Sequence, residues 1–165
     1  MSPLARPGPL DLESGVDPGT LKWDQHGLVV GVVQDVSDGR VLVQRPADEP
    51  ASCYAFIGGE YEAGDTFETR IRREFEEETT ARVSGWRYLF VVENRFTVDG
   101  GTFQSLEHYL EVTLDRQNVE SREAHLSQHW LPLARLRDYD LRPHVVRDVL
   151  AAGNLHNVSH LTVAP

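Results

Sequence analysis

Residues 58–79 read GGEYEAGDTFETRIRREFEEET, and both the fold and the chemistry turn on this stretch. Asp65, followed three positions later by Glu68, forms a capping-box pattern, so a helix is expected from Thr66 to about Thr79, a span free of proline and glycine. Phe67, Ile71 and Phe75 recur at every fourth position and give that helix a narrow apolar stripe. At about 100° per residue, Glu74 and Glu78 project within roughly 20° of Phe67, and Glu77 roughly 80° from it. Carboxylates therefore edge the face that must be buried.

A solvated helix laced with ion pairs would also carry such charges, since Arg70 and Glu74, Arg72 and Glu76, and Arg73 and Glu77 are each four apart. Every one of these pairs has arginine on the N-terminal side, the weaker orientation, and exposed pairs of this kind contribute only about 0.2–0.5 kcal/mol. Acids in the last turn also oppose the helix dipole at about 0.3–1 kcal/mol each. A cation would resolve the crowding. Ligands that are all oxygen suit Mg²⁺, or Mn²⁺, rather than zinc, and no D-x-D-x-D-G loop offers an EF-hand instead.

The same stretch, extended to Ala81, resembles the Nudix box, G-x5-E-x7-R-E-U-x-E-E-x-G-U with U a bulky aliphatic residue. Gly59 takes the first position, Arg73 and Glu74 the R-E pair, Phe75 the apolar site, Glu77 and Glu78 the E-E pair, and Ala81 the end. Asp65 stands where Glu is usual and Thr80 where the second Gly is usual. VVENRFTVDG and LEHYLEV are similar to the two strands that follow the box in one group of the family, and HWLPLARL to its late W-x-P-x-x-x-L segment. The resemblance implies an α/β (α+β) domain of the Nudix fold, a mixed sheet sandwiched between helices. It also implies Mg²⁺-dependent hydrolysis of a nucleoside diphosphate derivative to a nucleoside monophosphate and a phosphorylated product. The alternative is a Nudix-like sensor that binds a nucleotide without hydrolysing it.

Carried over by position, Glu74, Glu77 and Glu78 would hold the metal with the carbonyl of Gly58, and Arg73 would orient a glutamate. Gly59, Phe96 and His108 would border the substrate. The resemblance implies as general base either a box glutamate, Glu74 or Glu77, or an acid on a later loop, and outside the box the candidates are Glu93, Glu107, Glu111, Glu120 and Glu123. Glu120 and Glu123 stand out because they precede the Trp130 strand, where the family often places such an acid. Glu107 and Glu111 read as solvent-facing strand residues. Tyr54, Phe56, Tyr61, Phe96 and Trp130 are candidates for a stacking wall, and the seven histidines show no ligand spacing.

Working outward, GLVVGVVQDV, residues 27–36, reads as a buried strand, and RVLVQR as its hairpin partner after the turn SDGR. YAFIGG, RYLFVVENRFTV and LEHYLEVTLD add strands, with DGGTFQS as a turn-rich connection, and RPHVVRDVLAAG closes as a helix stopped by Gly153. The chain thus divides into a Pro/Gly-rich arm over residues 1–25, one domain over 26–153, and an unpatterned tail over 154–165. A formal charge of -10 argues against a nucleic-acid polymer as partner. One cysteine, Cys53, read as a small buried apolar residue, fits a reducing cytoplasmic setting. No segment predicts membrane insertion. The arm suits packing across a neighbouring subunit, as in a homodimer.

Overall fold

The computed structural model describes residues 21–23 and 27–164. Apart from Leu21–Trp23, the expected arm lies outside the described residues. In chain order the elements are β1 (Leu21–Trp23), β2 (Leu28–Val32), β3 (Gln34–Asp35), β4 (Arg40–Pro46), β5 (Tyr54–Ala55), β6 (Ile57–Glu60) and α1 (Phe67–Glu78). There follow β7 (Val83–Val98), β8 (Gly101–Leu114), β9 (Leu126–Pro132), a 3-10 segment (Leu133–Asp138), β10 (Leu141–Arg142), α2 (His144–Ala151) and β11 (His160–Val163).

Two sheets result. The larger runs β11-β7-β8-β2-β6, with β1 also on β8, and mixes parallel with antiparallel pairing; the smaller runs β10-β5-β4-β3, with β9 on β4. β2 sits between β8 and β6 and is apolar without alternation because both of its faces are covered. Val29 packs on one side with Ile57, Ile71, Phe75, Leu110 and Val112. Val30 and Val32 pack on the other with Phe90, Tyr109, Leu136, Val146 and Leu150. α1 therefore covers one face of the large sheet, and α2 with the inner residues of the small sheet covers the other, which is the expected mixed sheet between helices.

Several local expectations give way. The chain bends at Val33, so only Gln34 and Asp35 pair with β4, while β2 joins the other sheet. DGGTFQS is mostly strand: the turn is confined to Asp99 (φ 49°) and Gly100 (φ 77°), a two-residue connection whose positive φ values suit a tight hairpin. Residues 154–165, expected as an unpatterned tail, supply Leu155 to the core and the strand β11, which pairs in parallel with β7 from Val91 to Asn94. Cys53 is half-buried rather than buried.

The cap of α1 also differs. Thr66, not Asp65, is the N-cap, its hydroxyl accepting from the Thr69 amide (3.1 Å) while Thr69 Oγ1 accepts from the Thr66 amide (2.8 Å). Glu68, expected to cap, instead pairs with Arg72 at 3.0 Å. Asp65 is thereby freed to receive the Glu62 amide at 2.9 Å and the Arg70 guanidinium at 2.8 Å.

Candidate active site

Strand alternation sends the two glycines of β6 to opposite sides of the large sheet. Gly59 faces α1 so closely that a Cβ there would lie 2.0 Å from Glu74 Oε1, whereas a Cβ on Gly58 would lie 2.5 Å from the Val29 carbonyl oxygen. Glycine is required at both positions by close approach rather than by backbone conformation. Since β6 ends the sheet, the side that carries α1 and the side that carries Gly58 meet at its open edge.

Glu74 is buried and receives the Arg70 guanidinium at 3.0 Å. Arg70 is itself buried, and it also contacts Asp65 at 2.8 Å and Glu62 at 3.3 Å. The Glu62 amide and Arg70 hold the Asp65 carboxyl below the usual carboxylate range. Arg73 was expected to do this orienting, but it is exposed and makes no hydrogen bond or ion pair among the described residues. The reason is rotational: Arg70 and Glu74 share the inner side of the helix with Ile71, while Arg73 points outward. Of the expected helix ion pairs, only that between Arg70 and Glu74 forms.

Glu78 is half-buried and accepts from Gln44 Nε2 at 3.3 Å; Gln44 Oε1 in turn accepts from Gln128 at 3.1 Å. Burial first, then the charges of Glu74, Glu123 and Glu77, pushes its carboxyl up to about 7, against the lowering effect of Gln44. Four carboxylates thus act on one neighbourhood. Among the described residues no three of them close on a common point as they stand, in keeping with Glu74 being turned toward Arg70. The donor set is oxygen only and Gly59 leaves room for the Glu74 carboxylate, so the residues fit a hard divalent ion that draws them together.

Glu123 and Glu120 part company here. The loop that carries them docks on the end of α1: the Thr80 amide donates to the Glu120 carbonyl (3.0 Å), the Glu120 amide to Thr80 Oγ1 (3.1 Å), and the Arg122 amide to the Glu78 carbonyl (2.8 Å). Thr80 therefore replaces the usual glycine with a side chain that pins this loop. It brings the Glu123 charge onto Glu78 and leaves the Glu120 side chain exposed.

On the Gly58 side lies a cavity of about 780 Å³. Of the residues expected to border the substrate, Phe96 lines it and Gly59 and His108 do not; Gly58, expected as a metal ligand, lines it too. His108 lies on the α1 side, 4.9 Å from the ring of Phe67 and 3.1 Å from the Tyr88 hydroxyl, and burial lowers its pKa. Of the candidate stacking residues, Phe56 joins Phe96 in the cavity wall, and Tyr54, Tyr61 and Trp130 lie elsewhere. Arg142 and His144 also line the cavity, both held by Asp140 at 3.1 and 2.7 Å. Glu107, expected to face solvent, is buried in the cavity wall. Glu93 and Glu111 are tied to His160 (2.7 Å) and Arg87 (3.0 Å).

Arg70 and Gln44 were thus not singled out from the sequence, and Glu107, weighed there as a base, was misread as solvent-facing. The parity of β8 carried a signal for the last: Ser105, Glu107 and Tyr109 alternate onto one face, and the tyrosine marks that face as buried.

A family profile described as NUDIX domain matches residues 25–151. Among solved structures, the chain is similar to MutT from a structure and function analysis of the Aliivibrio salmonicida and Vibrio cholerae proteins, at 24% identity and TM-score 0.57, over 77% of this chain and 97% of that one. It is similar to the E. coli ORF135 protein at 21% identity and TM-score 0.57, over 84% and 93% of the two chains. It is also similar to the NUDIX domain of Shewanella oneidensis NrtR, a structure complexed with ADP ribose, at 18% identity and TM-score 0.60, over 86% and 94%. Likenesses this remote show a shared fold. No curated protein matches the chain.

Proposed function

The chain belongs to the NUDIX domain family, and on that premise we propose that it is a Mg²⁺-dependent hydrolase cleaving the diphosphate linkage of a nucleoside diphosphate derivative. The observation that carries this reading is that adjacent glycines of β6 serve the two sides of the sheet: Gly59 abuts the Glu74 carboxylate of α1, and Gly58 lines the cavity. A nucleotide in the cavity would present its diphosphate at the open edge of β6. The binding of ADP ribose by the NrtR domain supports a ligand of this class.

Glu74, Glu77 and Glu78 would hold the ion, with the Gly58 carbonyl as a further ligand. Bound there, it would neutralise the diphosphate and make a water more nucleophilic. Arg70 orients Glu74 by a charge-assisted hydrogen bond. Glu123, next to Glu78, is the acid outside the box best placed to take a proton from the attacking water, and Glu120 is not. Turnover of a panel of ADP-ribose, NADH, diadenosine polyphosphates, sugar nucleotides and nucleoside triphosphates with Mg²⁺ tests the proposal; a metal-loaded protein that turns over none of them overturns it.

Two further outcomes are expected. Mg²⁺ should raise the thermal midpoint, since an ion that binds only the folded state stabilises it, and the rise should be larger at about pH 8 than at about pH 5.5. A Glu78 carboxyl pushed up to about 7 is ionised at the first value and protonated at the second. A pH-independent shift in a melting series would count against Glu78 as a ligand. Gly59→Ala should lower kcat by about 100-fold, because its Cβ must displace the Glu74 carboxylate and small misplacements at a reacting centre cost that much. The displaced group is the end of a side chain, so the thermal midpoint should fall far less; unchanged kcat would refute the Glu74 assignment.

A further inference from the structure

Glu107 is a carboxylate that the hydrolytic reading does not use, yet it is among the most thoroughly buried charges in the molecule, 5% exposed. Its Oε2 accepts from Asn94 Nδ2 at 2.7 Å and from Ser105 Oγ at 3.1 Å, and its Oε1 accepts from the Tyr109 hydroxyl at 2.9 Å. An ionised carboxylate has about four lone-pair sites. Three are filled by described residues, and the fourth, on Oε1, has no partner among them. No arginine, lysine or histidine pairs with Glu107 among the described residues, so three neutral donors hold a buried carboxylate beside the apolar Leu28, Val30, Phe56 and Phe96, in a cavity that Arg142 and His144 also line.

We propose that Glu107 determines base specificity, its Oε1 accepting a hydrogen bond from the exocyclic amine of a purine bound in the cavity. Apolar and aromatic walls suit a flat heterocycle, and a single buried acceptor selects one that carries a donor on its edge. A ribose would need several polar partners. The register supplies the distance: Val30 pairs with both Tyr109 and Gly58, and Leu28 pairs with Glu107. At strand and residue spacings of about 4.8 and 3.3 Å, Glu107 stands roughly 12 Å from Gly58. A base held at Glu107 is therefore within a nucleotide's reach of the Gly58 edge. This inference rests on the nucleotide-hydrolase reading and adds to it the group that chooses among nucleotides.

The test is calorimetric binding to the full chain of two pairs that differ by one base amine, ADP against purine riboside 5′-diphosphate and GDP against IDP, with 2′,3′-dideoxy-ADP as the ribose arm. Loss of the amine should weaken binding by about 10- to 100-fold in at least one pair, the cost of leaving a buried acceptor unmatched. In Glu107→Gln, whose amide replaces the charge, and in Glu107→Asp, whose carboxylate is withdrawn by one methylene, the same difference should shrink to less than about threefold. A folded variant that keeps the wild-type difference overturns the proposal, as does discrimination confined to the dideoxy arm. Nucleotide binding without amine discrimination sinks this inference and leaves the hydrolase reading standing. Amine discrimination without turnover of any diphosphate does the reverse, and no binding at all overturns this inference while the hydrolase reading still rests on turnover of the panel.

Discussion

Replacing Arg70 by leucine should destabilise the protein by about 2–3 kcal/mol, the lower end of what breaking a buried ion pair costs because exposed Glu62 brings water to its rim. The guanidinium joins three carboxylates, at 2.8 Å to Asp65, 3.0 Å to Glu74 and 3.3 Å to Glu62. Without it Glu74 remains buried and charged beside the backbone of Gly59, and Asp65 loses the cation that ties the box loop to the helix. Turnover should fall with stability, by at least about 100-fold, since the misdirected Glu74 carboxylate sits at the reacting centre. Arg73→Leu is the control: an exposed arginine without a partner among the described residues should cost less than about 0.5 kcal/mol. Urea unfolding and kcat measured on both variants decide the matter. If Arg73→Leu proves the more damaging, the family pattern describes the site better than the geometry does.

That contrast shows what could be read from the sequence. The apolar stripe of Phe67, Ile71 and Phe75 announces α1, and Ile71 and Phe75 are fully buried. The box aligned arginine with Arg73, although at about 100° per residue Arg73 stands roughly 120° from Phe67 and Arg70 only roughly 60°. The turn that places Ile71 in the core carries Arg70 in with it. The large sheet was legible for a related reason, since β2 is apolar on both faces and could only be central. The edges were not: β11 is half-exposed and joins β7 through a backbone ladder, which leaves almost no side-chain pattern in 154–165. Glu107 failed because a charged strand residue is read as outward by default. The cavity fared worst, being made by residues from β2, β6, β7, β8, α2 and the end of β11, a set that only tertiary contact assembles.

Glu78→Gln is expected to lower kcat by about 10²- to 10⁴-fold, the range for removing a group that acts directly on the reaction, and Glu77→Gln to do the same. What separates the two is stability. Burial and the charges of Glu74, Glu123 and Glu77 raise the Glu78 carboxyl to about 7, well above the ordinary 4.5. A group whose pKa is higher folded than unfolded binds its proton more tightly in the native state, so the metal-free protein loses stability as pH rises from about 4.5 through about 7. Glutamine abolishes that titration. Metal-free Glu78→Gln should therefore be as stable as the parent at about pH 4 and more stable at about pH 8, with a flatter stability curve between them. Glu77 is exposed, and its replacement should leave the pH slope nearly intact. Melting the two variants and the parent across that range in a chelator is sufficient. A Glu78→Gln protein that is inactive and also less stable at about pH 8 would mean that the carboxylate is a structural acceptor for Gln44. One that is inactive and more stable would show that the fold tolerates an unfavourable charge there because the reaction requires it.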